Sequence, residues 1–159
     1  MPAEVSAELA GARLQGAGRL TWFGLSVYDA RLWAHERFTA AQFEREPIAL
    51  ELQYARSLEG KQIAERSLVE IQRGGTVAAA DASRWLASMN QLFPDVNRGD
   101  RLTGVHQPGE AVRFYFNGAL RGEMRDADFA RRFFGIWLAP STSEPKLRLA
   151  LLGPARAGP

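Results

Sequence analysis

The stretch AVRFYFNGALRGEMRDADFARRFFGIWLA, Ala111–Ala139, contains the signals that decide the fold. Its first part alternates between apolar and polar residues, which is typical of a strand with one buried face. The apolar positions of that face are Val112, Phe114 and Phe116. Asn117–Gly118 then predicts a two-residue hairpin, because both residues tolerate the positive φ angles of a type I′ turn. The chain is therefore expected to form antiparallel strands here.

The second part of the same stretch changes to helical spacing. Asp126 is the expected N-cap of this helix, since its carboxylate can accept a hydrogen bond from a free backbone N–H of the first turn. Four large apolar residues then recur on one stripe: Phe129, Phe133, Ile136 and Trp137. An amphipathic helix directly after a hairpin favours an α+β fold, in which helices pack on one face of an antiparallel sheet.

The N-terminal third is expected to supply further strands. Residues 8–20 predict a short strand and a turn at Gly16 and Gly18, where glycine permits positive φ angles. The segment LTWFGLSVYDARLW, Leu20–Trp33, predicts a central strand because it is apolar on both faces. Ile48–Tyr54 alternates cleanly and predicts a strand with one solvated side.

Three further helices are expected, each beginning at a capping or first-turn residue and ending at glycine or proline. Their expected limits are Glu59 to Gly74, Asp81 to Pro94, and Pro145 to Gly153. Between the second and third of them, residues 99–124 predict a β-meander with one turn at Pro108–Gly109.

The composition excludes several classes of protein. The 159 residues are 46% hydrophobic and 24% charged, with a formal net charge of +2, which is too weak to indicate nucleic-acid binding. No uninterrupted apolar segment approaches the length of a membrane span, and no cysteine is present for a disulfide or a thiolate site. His35 and His106 are too scattered to predict a metal site, so neither a metal nor a cofactor is expected.

The chain shows no internal repeat and no sign of a second domain. One domain is expected at 9–153, and the segments 1–8 and 154–159 are expected to be flexible termini. The N-terminal segment lacks the basic start and apolar core of a signal peptide.

One pair of residues suggests a binding site before any family is considered. Tyr54 should lie on the inner face of its strand, where a buried hydroxyl needs a hydrogen-bonding partner. Arg56 follows two residues later. A structural partner and a carboxylate or phenolate ligand both satisfy this need, and the residues alone leave the choice open.

Three segments together resemble the bacterial chalcone isomerase-like domain of the chalcone isomerase family. They are GAGRLTWFGLSVYDARLW (16–33), LELQYARSLEGKQIAERSLVEI (50–71) and FYFNGALRGEMRDADFARRFFGIWLAPSTSEPKLRLALLG (114–153). The resemblance implies an open-faced β-sandwich with a cleft between sheet and helices. In plant enzymes of the family this cleft holds a chalcone and cyclises it, whereas related plastid members bind fatty acids.

The resemblance also assigns positions to the enzymes' polar site residues. An arginine that stabilises enolate charge corresponds to Arg19 or its neighbour Leu20. A threonine corresponds to Phe23, and a tyrosine and an asparagine on the following helix correspond to Ile63 and Glu70. Most of the polar groups are thus replaced, which argues against chalcone isomerisation because preorganised donors supply the transition-state stabilisation.

The sequence therefore predicts a protein without chalcone isomerase activity that binds a hydrophobic ligand, such as a fatty acid, in the cleft. The expected ligand-binding residues are Arg19, Trp22, Phe23, Arg31, Tyr54, Ile63 and Phe133. Two alternatives stay open: an isomerase acting on an enone-like substrate, and a ligandless interaction domain whose own aromatics fill the cleft. A periplasmic or secreted location is expected from the resemblance, with the cytoplasm as the alternative.

Overall fold

A computed structural model describes residues 1–153. Their six strands form one antiparallel sheet, in which the strands follow each other in chain order. The strands are β1 (Arg13–Trp22), β2 (Leu25–Ala34), β3 (Ile48–Tyr54), β4 (Arg101–Gln107), β5 (Ala111–Phe116) and β6 (Ala119–Met124). The helices are α1 (Ala3–Glu8), α2 (Gly60–Arg73), α3 (Ala79–Leu92), α4 (Ala127–Leu138) and α5 (Pro145–Leu152). Helices α2 to α5 share one core with the sheet, so the predicted α+β open-faced sandwich is confirmed. The predicted flexible tail, 154–159, lies outside the described residues.

Local signals in the C-terminal half predicted their elements correctly. Asn117 and Gly118 have φ angles of 50° and 86°, as a type I′ hairpin requires. Asp126 caps α4 by accepting a hydrogen bond from the Phe129 backbone N–H at 3.0 Å. The helix expected to start at Asp81 begins earlier, at Ala79. Asp81 therefore lies in its first turn instead of capping it.

The prediction for the first two strands was wrong about where the chain turns. Leu20–Trp33 is not one strand, because a tight turn at Phe23–Gly24 divides it into β1 and β2. Gly16 and Gly18, which were expected to form a turn, lie inside β1.

These two glycines are needed for contact with α5 and not for a turn. A Cβ at Gly16 would lie 2.2 Å from the carbonyl oxygen of Ala150, and a Cβ at Gly18 would lie 2.7 Å from a methyl group of Leu147. The absence of side chains lets α5 lie directly on β1 and cover the edge of the helix-facing core.

The segment 1–8, expected to be a flexible lead-in, contains α1 and packs on the opposite face of the sheet. Val5 is fully buried there against Ala49 and Val105. Glu4 is also buried, where it accepts hydrogen bonds of 2.8 Å from the Arg101 guanidinium and the Thr103 hydroxyl. Although burial alone would raise the pKa of Glu4, these hydrogen bonds hold it below its usual value.

One side of β3 was expected to be solvated, but it is buried because α1 covers this face of the sheet. Glu51 lies on that side, yet it is buried and accepts a hydrogen bond from Arg101 at 3.0 Å. The second face of the sheet is therefore a small mixed core of apolar residues and ion pairs.

We expect Gly16→Ala to destabilise the protein by about 1–3 kcal/mol or more, because the new Cβ would overlap the backbone of α5. Ala17→Ser is the matched control, since Ala17 is exposed on the same strand. Urea unfolding of both variants measures the difference. Equal midpoints for Gly16→Ala and the wild type would show that α5 does not depend on this contact.

His106 provides a second stability prediction. It is buried against the ring of Phe134, and burial lowers its pKa to about 4, opposed only by a hydrogen bond with the Glu46 backbone. An exposed histidine in the unfolded chain has a pKa of about 6.5, so the unfolded state binds the extra proton between these two values. The free energy of unfolding should therefore fall by up to about 3 kcal/mol as the pH drops from about 6.5 to about 4.

This dependence should largely disappear in His106→Phe, which cannot be protonated. Urea titrations of both proteins at several pH values separate the effect of His106 from that of the carboxylates, which titrate in both. If the free energy of unfolding fell equally with pH in both proteins, this pH dependence would not come from His106.

Candidate ligand-binding cavity

A cavity of about 460 Å³ lies between the sheet and the helical layer. Its floor comes from β1 to β4 and its roof from α2 and α4, with Phe93 and the loop before α5 closing the sides. Its volume is within the range of roughly 300–1,000 Å³ that is typical of small-molecule sites. The cavity is thus open, and the aromatics of β1 and β2 line it without filling it.

The walls are mostly apolar. The apolar and aromatic residues that line them are Leu20, Trp22, Val27, Tyr28, Leu52, Tyr54, Leu58, Ile63, Phe93, Leu102, Phe133, Ile136 and Trp137. Such a lining favours a ligand that is itself largely hydrocarbon.

The space exists because α2 packs chiefly on α3 and α4 and not on the sheet beneath it. Phe133 of α4 supports this arrangement, because its ring contacts Phe93 at 6.3 Å and Trp137 at 5.1 Å between centroids. These rings are too large to collapse into the gap, so the strands and α2 remain apart.

Two tyrosines bring hydroxyl groups to the apolar floor. Trp137 donates an indole N–H hydrogen bond to the Tyr28 hydroxyl at 2.8 Å, and the Tyr28 and Tyr54 rings meet edge to face at 5.7 Å. The Tyr54 hydroxyl has no hydrogen-bonding partner among residues 1–153. Burial raises the pKa of both hydroxyls, so both remain protonated donors near neutral pH.

A charged network on α2 forms one edge of the cavity. Glu70 is buried in this network. One carboxylate oxygen lies 2.9 Å from Arg66, and the other accepts hydrogen bonds from Arg73 at 3.1 Å and the Ser143 hydroxyl at 2.9 Å. The Arg66 guanidinium also lies 5.5 Å from the centre of a Trp22 ring, a cation–π contact at the mouth.

Arg56 is the cation of the cavity without an ion-pair partner in the described part of the chain. It follows β3 directly, two residues beyond Tyr54, and its side chain is exposed. The unpaired cation and the unpaired Tyr54 hydroxyl are thus at the same end of β3.

The sequence-predicted site residues divide into two groups. Trp22, Tyr54, Ile63 and Phe133 line the cavity. Arg19, Arg31 and Phe23 do not, for two different reasons.

Arg19 and Arg31 lie on the other face of the sheet because side chains alternate along a strand and Leu20 and Tyr28 face the cavity. There Arg19 donates a hydrogen bond to Asp29 at 2.8 Å, and Arg31 lies 3.9 Å from Glu51. Phe23 occupies the hairpin turn and is exposed.

Sequence reasoning missed other residues of the cavity. No motif singles out Arg66 within its helix, and Ser143 precedes a helix without any motif of its own. Tyr28 was not among the expected ligand-binding residues. The hydrogen bond from Trp137 that places its hydroxyl joins residues 109 positions apart, which no local pattern encodes.

No group of three or more His, Cys, Asp or Glu side chains within residues 1–153 is placed to hold a metal ion. None of the helices in that range is long and apolar enough to cross a membrane.

Residues 1–153 match the family model described as chalcone isomerase-like. The chain belongs to the chalcone isomerase-like family. It is also 32% identical over 142 residues to an uncharacterized protein of Haemophilus influenzae, covering 89% of this chain and 68% of that protein.

Among solved structures, the fold is similar to that of a fatty-acid binding protein of Arabidopsis thaliana. The TM-score is 0.71, with 93% of this chain and 90% of the other covered, and the two sequences are 15% identical. At this identity the comparison establishes the shared fold. The predicted open-faced sandwich of this family is thus confirmed.

Filling the cavity should remove binding of a hydrophobic probe. We expect Ile63→Trp to weaken binding of the fluorescent probe anilinonaphthalene sulfonate by roughly ten-fold, equivalent to about 1.4 kcal/mol, because the indole takes up apolar contact surface. Val69→Trp is the matched control, since Val69 lies on the same helix but is exposed and outside the cavity. A fluorescence titration in which both variants bind like the wild type would place the probe elsewhere.

Proposed function

We propose that this chalcone isomerase-like protein binds a hydrophobic carboxylic acid of the fatty-acid class in the cavity and does not isomerise it. The observation that carries the proposal is an apolar cavity with two donors that have no partner among the described residues, the Tyr54 hydroxyl and the Arg56 guanidinium. A long acyl chain matches the walls, and a carboxylate matches the donors.

Within residues 1–153, the other polar side chains of the cavity have hydrogen-bonding or ion-pair partners, except the exposed carboxylate of Glu144. Arg66 lies 2.9 Å from one carboxylate oxygen of Glu70, and Arg73 and the Ser143 hydroxyl donate hydrogen bonds to the other. Because Arg66 and Arg73 already share the Glu70 carboxylate, Arg56 is the cavity cation without an ion-pair partner in residues 1–153, and it is the group that an anionic ligand would neutralise. The carboxylate would lie at the exposed end of β3, with the acyl chain directed toward Phe133 and Trp137.

The placement of the charged groups supports binding over isomerisation. Arg19, the sequence's candidate for stabilising an enolate, lies on the opposite face of the sheet. Ile63 can neither donate nor accept a proton, and Glu70 is held by two arginines. A general acid–base reaction needs a poised group within reach of the substrate, and Tyr28 and Tyr54 have pKa values raised away from neutrality.

The open cavity also argues against a ligandless interaction domain whose aromatics close the cleft. The fatty-acid binding protein with the same fold is consistent with a binding role. A periplasmic or secreted location stays a prediction from the family resemblance.

Two substitutions test the polar end. Tyr54→Phe should weaken binding of dodecanoate by about ten-fold or more, because a buried hydrogen bond to a charged group contributes about 1.5–3 kcal/mol. Arg56→Gln should weaken it by about five-fold, since its partly solvated charge contributes roughly 1 kcal/mol. Isothermal titration calorimetry measures both affinities.

Two controls identify the carboxylate as the group that is recognised. Arg37→Gln removes another exposed arginine that has no ion-pair partner among residues 1–153 and is outside the cavity, and should leave the affinity unchanged. Dodecanol should bind wild type and Arg56→Gln equally. If Arg56→Gln and Tyr54→Phe bind dodecanoate as tightly as wild type does, the proposed polar end is wrong.

A further inference from the structure

The turn between β1 and β2 exposes three large apolar side chains in succession. The exposed fractions are 57% for Trp22, 88% for Phe23 and 54% for Leu25. We call the segment 22–25 the apolar tip. Trp22 also lines the cavity, so the tip is a direct extension of the cavity wall.

Phe23 occupies a position that an L-residue with a bulky side chain rarely adopts. Its φ angle is 50°, and that of Gly24 is 76°. The same chain builds its other tight hairpin from Asn117–Gly118, with φ angles of 50° and 86°. Asparagine tolerates this conformation at little cost, whereas phenylalanine is strained there and gains no burial. The fold alone gives no reason for Phe23.

Cations surround the base of the tip. The Arg66 guanidinium lies 5.5 Å from the centre of a Trp22 ring, and Trp22 itself contacts Phe23 at 5.1 Å between centroids. Arg19 lies on the same hairpin, where it is paired with Asp29, and Arg56 lines the adjacent cavity without an ion-pair partner in residues 1–153. An apolar point with aromatic and basic residues behind it is complementary to the hydrocarbon, interfacial and phosphate layers of a bilayer.

We propose that the apolar tip docks this protein on a phospholipid bilayer, with Phe23 and Leu25 inserted and Trp22 at the interface. The size of the surface favours lipid over a second protein. The three side chains expose on the order of 400 Å², if fully exposed side chains of this size offer about 150–250 Å² each. A stable protein interface needs about 800 Å² from each partner.

Docking in this orientation places the cavity wall at Trp22 against the lipid surface. A hydrophobic ligand could then pass between bilayer and cavity without crossing water. The docking itself does not depend on the identity of the ligand, because it needs only the tip and a bilayer. It can therefore fail while fatty-acid binding stands, and it can hold while fatty-acid binding fails.

The test is co-sedimentation of the full chain with vesicles of equal parts phosphatidylethanolamine and phosphatidylglycerol. The wild type should bind, and Phe23→Asn should reduce the partition coefficient at least ten-fold because one inserted aromatic ring is lost. Phe23→Asn should also unfold at the same or a higher urea concentration, since asparagine relieves the strained turn. Loss of binding then cannot result from unfolding.

Leu25→Ser and Leu120→Ser form a matched pair. Leu120 is 49% exposed, against 54% for Leu25, but lies on β6 at the far edge of the sheet. Leu25→Ser should reduce vesicle binding about five-fold, and Leu120→Ser should leave it unchanged.

Two results would overturn the proposal. One is a wild-type protein that does not bind the vesicles, or that binds them as well after Phe23→Asn and Leu25→Ser. The other is sedimentation equilibrium showing a dimer that Phe23→Asn abolishes, with no vesicle binding, which would assign the tip to a second copy of the chain.

Discussion

The packing of Phe133 determines how the helical layer sits on the sheet. Its ring occupies the centre of the helix-facing core, and one side of it forms part of the cavity wall. Its aromatic neighbours are Phe93, Phe114, Phe129, Phe134 and Trp137. Because these rings form a rigid cluster, α4 is fixed on the sheet and α2 is held by α3 and α4. The cavity is the space that this arrangement cannot fill.

The charged residues on the two faces of the sheet have different partners. On the face covered by α1, Arg101 and Arg31 lie beside the buried carboxylates of Glu4 and Glu51. On the cavity face, Arg66 and Arg73 are paired with Glu70, and Arg56 has no ion-pair partner in the part of the chain that the structure describes. Leu20 and Tyr28 point into the cavity. Because side chains alternate along a strand, Arg19 and Arg31 lie on the other face, away from a ligand in the cavity.

Local sequence signals predicted the elements whose cause is local. The Asn117–Gly118 turn, the Asp126 cap and the limits of the strand Ile48–Tyr54 each depend on neighbouring residues, and these three predictions were confirmed. The expected solvated side of that strand was wrong, because α1 covers it. Gly16 could not be predicted in this way, because its requirement arises from the backbone of α5, more than a hundred residues away. The first hairpin was not predicted because its turn contains Phe23, and phenylalanine is not a residue that type I′ turns favour.

The candidate site was predictable to the extent that it follows strand periodicity and family resemblance. Those two sources placed Tyr54, Ile63 and Phe133 near one cleft, and the sequence also drew attention to Arg56. Which of the other arginines lie on the cavity side of the sheet required the three-dimensional structure. Native mass spectrometry of the gently purified protein tests the binding of a fatty acid most directly. We predict one bound molecule per chain, released on denaturation with the mass of a fatty acid, and rebinding by the delipidated protein. A ligand-free protein that takes up no fatty acid after delipidation would contradict this function.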